Sequence, residues 1–193
     1  MTLYAIASVM NNEENIKIHD IWDNLQSECH LNAVKISPIP HFSWYTYVNV
    51  HDQNELEHEL CKWATMHAPI KLQVNGLGIF PGEKPVLYLP IVRNYILSMY
   101  HIDLIQKISP YVEGPASFYT SESWMPHVTL AIHDLNDENL NCAINQCLTH
   151  SLSFELYIDH VAILYLDEAS FGLKRKFNFN ERAVNLPIGG LTQ

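Results

Sequence analysis

The sequence predicts an α+β fold: two pseudo-symmetric βα lobes from an internal duplication, with antiparallel-rich sheets lining a central cleft. Amphipathic helical stripes alternate with short apolar runs in the same order in both halves of the chain. A short motif also recurs at matching places. Residues 40–43 read PHFS and residues 126–129 read PHVT, each at the head of an apolar run, and the histidines His41 and His127 set a period near 86 residues.

The elements follow in order. Residues 2–10 (TLYAIASVM) read as a strand. In 12–30 the spacing of Ile18, Ile21, Trp22, Leu25 and Cys29 marks an amphipathic helix. A strand from about 41 to 49 carries the first motif. Asp52 followed by Glu55 starts a helix in the manner of a capping box, with Leu56, Leu60, Trp63 and Ala64 on one face. Residues 70–80 alternate and then reach glycines, as a strand ending in a turn or bulge does.

The order then restarts. PVLYLPIV (85–92) is a strand, and 95–110 a helix carrying Leu97, Tyr100, His101, Leu104, Ile105 and Ile108. A loop over 112–126 leads into the strand that begins at His127. A helix at about 137–150 has the stripe Leu140, Ile144, Cys147 and Leu148, matching the helix after the first motif. FELYIDHVAILYL (154–166) reads as one strand and GLKRKFNF (172–179) as the last. No Gly/Ser linker interrupts the chain, so the expected unit is one two-lobed domain, 1–193. Its lobes cover about 1–82 and 83–193 in sequence, joined at PGEKP (81–85).

The chain has 193 residues, 48% of them hydrophobic, which suffices for a sizeable core. Its formal net charge is −10, with only 11 Lys and Arg. Extended nucleic acid is bound by neutralising many phosphates, so that class of partner is excluded, whereas a local phosphate pocket is not. The first fifteen residues lack the basic region of a secretory signal, and no apolar run is long enough to cross a bilayer. A cytoplasmic monomer with no membrane contact is expected. The cysteines Cys29, Cys61, Cys142 and Cys147 form no CxxC pair and are expected to be reduced, buried thiols.

In a strand His41, Ser43 and Tyr45 share one face, and so do His127, Thr129 and His133. An imidazole and a hydroxyl two residues apart can both reach one phosphate-sized group, and facing copies would surround it. With only 10 prolines in the chain, a proline ahead of both motifs is not a product of composition.

PHFS and PHVT resemble the paired HxT/HxS signatures of the two-histidine (2H) phosphoesterase superfamily, which includes 2′-5′ RNA ligase-like proteins and 2′,3′-cyclic nucleotide phosphodiesterases. The resemblance spans nearly the whole chain. It implies a metal-independent phosphoesterase that hydrolyses, or reversibly forms, a 2′,3′-cyclic phosphate or 2′-5′ phosphodiester in a nucleotide or short RNA end. Under it His41 and His127 are catalytic, and Ser43 and Thr129 bind substrate. Imidazoles suit acid and base roles near neutral pH, and the hydroxyls would donate to the non-bridging phosphate oxygens. Family analogy makes His127 the base and His41 the acid in hydrolysis. A catalytically idle nucleotide-binding or sensor module is the alternative.

No cofactor and no metal is expected, since the histidines lack zinc-site spacing. Tyr45, Tyr119 and Trp124 are candidates to stack on a base, the last two from a lid-like 112–126 loop. The chain departs from the family where RNA ligase-like members often carry an arginine after the second motif: here Ile132 and His133 stand, and His133 is expected to be an exposed histidine flanking the next helix. Lys174, Arg175 and Lys176 are expected to lie on a solvated final strand.

Overall fold

In the computed structural model, which describes residues 2–114, 116–168 and 170–183, the chain forms four α-helices and mostly antiparallel sheets. The first half contributes β1 (Leu3–Val9), α1 (Asn12–Cys29), β2 (His41–Tyr47), β3 (Asn49–Val50), α2 (Gln53–Met66), β4 (Ile70–Asn75) and β5 (Gly78–Phe80). The second contributes β6 (Val86–Pro90), α3 (Tyr95–Ile108), β7 (Val112–Glu113), β8 (His127–Ala131), α4 (Leu140–Cys147), β9 (Ser153–Ile158), β10 (His160–Leu166) and β11 (Phe171–Asn178).

One sheet has the order β11-β10-β1-β2. A second runs β5-β6-β8, and the pair β4-β9 continues it through a bridge between Val74 and Ile91. Each sheet therefore draws strands from both halves of the sequence, and each places a motif strand, β2 or β8, at its edge. The run 154–166 is two strands rather than one. It breaks at Asp159, so that β9 pairs with β4 while β10 pairs with β1. Both strands are rich in apolar residues, and periodicity alone does not reveal a change of sheet.

Side-chain caps start three helices. Asn11 accepts from Glu13 and Glu14 N–H, Asp52 from Asn54 and Glu55, and Asn94 from Leu97. The buried face of α2 is the expected stripe, with Leu56, Leu60, Trp63 and Ala64 essentially inaccessible. The stripe of α4 is shorter than expected. The helix ends at Cys147, and Leu148, just past it, is exposed.

The cysteines correct an expectation. Cys29 and Cys142 form a disulfide that ties the end of α1 to α4 across a sequence separation of 113. Cys147 is a buried free thiol, and Cys61 is free and exposed. Both Cys29 and Cys142 look like helix-face thiols in sequence; only the packing of α1 on α4 brings them together. Among the described residues no helix is long and apolar enough to cross a membrane.

Candidate active site

The two motif strands repeat one another in detail. Pro40 O accepts from Met10 N–H at 2.9 Å, and Pro126 O accepts from Ile91 N–H at 2.9 Å. His41 and His127 are half-buried, Phe42 and Val128 are buried, and Ser43 and Thr129 are half-buried. Each strand then bulges. Ser43 pairs with Ala7 and Tyr45 with Ile6, leaving Trp44 over; Thr129 pairs with Tyr88 and Ala131 with Leu87, leaving Leu130 over.

The bulge changes which side chains face the cleft. Strict alternation would place Tyr45 beside His41 and Ser43. Instead Tyr45 is 7% exposed and packs on Tyr119 with ring centroids 5.4 Å apart, and Thr46 takes the cleft-facing position. Sequence alternation therefore missed Thr46, because an unpaired residue in a ladder leaves no signature in composition.

Each imidazole is held by the same contact. His41 Nδ1 lies 2.7 Å from the Ile39 carbonyl, and His127 Nδ1 lies 2.7 Å from that of Met125. A carbonyl only accepts, so each Nδ1 carries a proton, and each neutral ring keeps its lone pair on Nε2. Burial lowers the pKa of both rings, and the carbonyl contact partly opposes this. Positive charge on His127 lowers that of His41 further, so the rings are electrostatic neighbours.

Aromatic rings pack near both imidazoles. Phe171 lies 6.1 Å from His41, while Phe80 and Tyr88 lie 5.0 and 5.1 Å from His127, centroid to centroid. Gly78 is required here: a Cβ on it would come within 2.3 Å of the Tyr88 ring.

His41, Ser43, Thr46 and Thr129 line one cleft of about 230 Å³, with His133 also on its lining and exposed; the neighbouring Val128 lines it, but His127 does not. His133 adopts a left-handed backbone (φ 76), and beside it Asp134 accepts from the N–H groups of Asn32 and Ala33, both at 2.7 Å. That clamp fixes the 3-10 turn Ala33–Ile36, which walls the cleft.

The other candidates fall elsewhere. Tyr119 is half-buried; burial raises its pKa, with the Thr46 and Ser43 hydroxyls acting in the opposite direction. Trp124 is 3% exposed, stacked on His101 at 3.8 Å and on Trp44 at 5.6 Å, so it is core and not a free platform for a base. Lys174, Arg175 and Lys176 are exposed. Arg175 is paired to Glu57 at 2.6 Å, and Lys174 lies over the Tyr4 ring at 5.7 Å. Among the described residues, no group of three His, Cys, Asp or Glu side chains is placed to hold a metal ion.

The model of the 2′-5′ RNA ligase superfamily matches residues 16–169, most of the chain and both motifs. The chain belongs to the 2′-5′ RNA ligase superfamily. Its fold is that of the solved TT0787 and LigT structures. TT0787 of Thermus thermophilus is 14% identical with a TM-score of 0.61, the alignment covering 94% of this chain and 100% of that one. E. coli LigT complexed with 3′-AMP is 10% identical with a TM-score of 0.61, covering 91% and 97%. LigT complexed with ATP is 9% identical with a TM-score of 0.58, covering 93% and 98%. At such identities the likeness speaks for the fold alone. No curated protein matches the sequence significantly.

Proposed function

We propose that this 2′-5′ RNA ligase superfamily member is a metal-independent phosphoesterase acting on a 2′,3′-cyclic phosphate or a 2′-5′ phosphodiester in a nucleotide or short RNA end. The observation that carries the reading is the matched anchoring of His41 and His127. Each donates Nδ1–H to a carbonyl two residues earlier and keeps Nε2 for proton transfer. The repeated motif strands are also what an internal duplication would leave. A nucleotide ligand is supported by the LigT structures, whose bound molecules are 3′-AMP, ATP and NADP+.

In hydrolysis His127 Nε2 takes a proton from water as the water oxygen bonds to phosphorus. The bond to one ribose oxygen breaks, and protonated His41 supplies the proton that oxygen needs. Ser43 and Thr129 donate hydrogen bonds to the non-bridging oxygens, where charge concentrates. Formation of the ester exchanges the two roles.

An idle nucleotide-binding module of the same fold would need no matched acid and base, which favours the enzyme. Turnover of 2′,3′-cyclic mononucleotides and 2′-5′ oligoadenylate in the presence of EDTA tests the reading. Metal-independent hydrolysis of either supports it, and binding without turnover points to the idle module.

A further inference from the structure

The walls of the cleft are unusual in charge. Among its described lining residues there is no Lys, Arg, Asp or Glu; the ionisable side chains are His41, His133, Tyr4 and Tyr165. Leu3, Ile36, Ile132, Leu164, Leu166 and Phe171 supply much of the surface, and the small Ala5 leaves room between them. Of the nearby cations among the described residues, Lys174 lies over the ring of the lining residue Tyr4 but is not itself on the lining, and others are held elsewhere. Lys35 lies on the 3-10 turn that walls the cleft, but it bonds to Asp23 at 2.7 Å and to Gln26. Arg93 is spent on Ser98 and on the Trp124 and Ser121 carbonyls. Burial holds His41 and His127 toward the neutral form. Phosphate oxygens in this cleft therefore meet hydroxyl dipoles rather than fixed cations.

That setting treats a phosphodiester and a phosphomonoester differently. A cyclic phosphate or a diester carries one negative charge. Hydrolysis adds water across a P–O bond and leaves a monoester, whose second proton ionises near pH 6, giving a dianion at neutral pH. Removing a second charge from water is costly where no cation answers it.

Resting on the reading of the cleft as a phosphoesterase site, we propose that it is selective for monoanionic phosphodiesters bearing an apolar or flat aromatic group, and that it releases its monoester product readily because no Lys or Arg among its described lining residues compensates the second charge. Ile132, which lines the cleft three residues after Thr129, is the position at which the selectivity is tested.

The test compares KM for adenosine 2′,3′-cyclic phosphate with the inhibition constants of 2′-AMP and 3′-AMP at pH 7.5. Both inhibition constants should exceed KM by about tenfold or more. The Ile132→Arg variant should lower them by about tenfold while changing KM much less. Because Ile132 is half-buried, Ile36→Lys at the exposed rim is the second variant, and it should act in the same direction. Product binding as tight as substrate binding in the wild type, or inhibition constants unmoved in both variants, would overturn the proposal. Calorimetry of the cyclic phosphate and the monoesters reads the same preference without turnover. A wild type that hydrolyses no cyclic phosphate yet binds the monoanion tighter refutes the hydrolase reading and leaves the charge selectivity standing. Equal binding refutes the selectivity.

Discussion

The indole N–H of Trp124 donates to the Ser43 carbonyl at 3.1 Å, and the indole N–H of Trp22 donates to the Thr129 carbonyl at the same distance. Both carbonyls belong to the residue just before a bulge, where the ladder is interrupted. A backbone carbonyl left without a strand partner in a buried setting needs a donor, and a tryptophan supplies one together with a large apolar face. The two hydroxyl residues are thus fixed through their backbones by side chains remote in sequence, one from α1 and one from the 112–126 segment.

Replacing either indole by Phe keeps most of the packing and removes the donor. Trp124→Phe and Trp22→Phe should each cost about 1–3 kcal/mol of stability in urea unfolding, the usual consequence of an unsatisfied buried acceptor. Each should also lower kcat on the proposed substrate more than it raises KM, since Ser43 or Thr129 would lose its register.

Charge on His127 lowers the pKa of His41. Burial pushes both rings below the ordinary histidine value. The singly protonated pair, one acid and one base, is therefore most populated on the acid side of neutrality. The pH dependence of kcat/KM should be bell-shaped with its maximum below about pH 6.5, the ordinary imidazole value. A rate that rises steadily up to pH 9 would contradict the paired roles.

His101 gives a separate pH effect on stability. It is fully buried, stacked on Trp124, and burial pushes its pKa down to about 4, with the Trp44 backbone acting the other way. The unfolded chain binds a proton there near pH 6.5 and the folded one does not, so stability is full above about pH 6.5 and falls as pH drops toward 4. The loss attributable to His101 is roughly 3 kcal/mol across that window. His101→Phe, which preserves the ring stack, should flatten that part of the pH–stability curve; an unchanged acid limb would place the loss elsewhere.

Reduction should matter as well. The Cys29–Cys142 bond closes a loop of 113 residues, and breaking such a crosslink costs about 2–4 kcal/mol. Dithiothreitol should lower the unfolding midpoint of the wild type, and Cys142→Ser should lower it similarly and remove any further effect of the reductant.

The legible and illegible parts of the sequence divide along physical lines. Helix starts at Asp52 and stripes such as Leu56, Leu60, Trp63 and Ala64 follow local rules, so they could be read directly. His41, Ser43, His127 and Thr129 could be singled out because a Pro-His-x-hydroxyl pattern occurs twice, each time at the start of a strand. Thr46, Trp22 and the disulfide could not. Thr46 reaches the cleft only because Trp44 is left over in the β1–β2 ladder. The Trp22–Thr129 and Cys29–Cys142 contacts join segments more than a hundred residues apart, and no local period encodes them. Trp124 was misplaced for a related reason: an aromatic in a long loop resembles a lid residue until its neighbours His101 and Trp44 are known.

The central claim is that one proton acceptor and one proton donor, His127 and His41, act on a common phosphate. Single-turnover and steady-state rates of His41→Ala and His127→Ala on the best cyclic phosphate test it most directly, with circular dichroism to verify folding. Each variant should fall below a tenth of the wild-type rate while remaining folded. A folded variant of either that retains more than a tenth would show that the reaction does not need the pair.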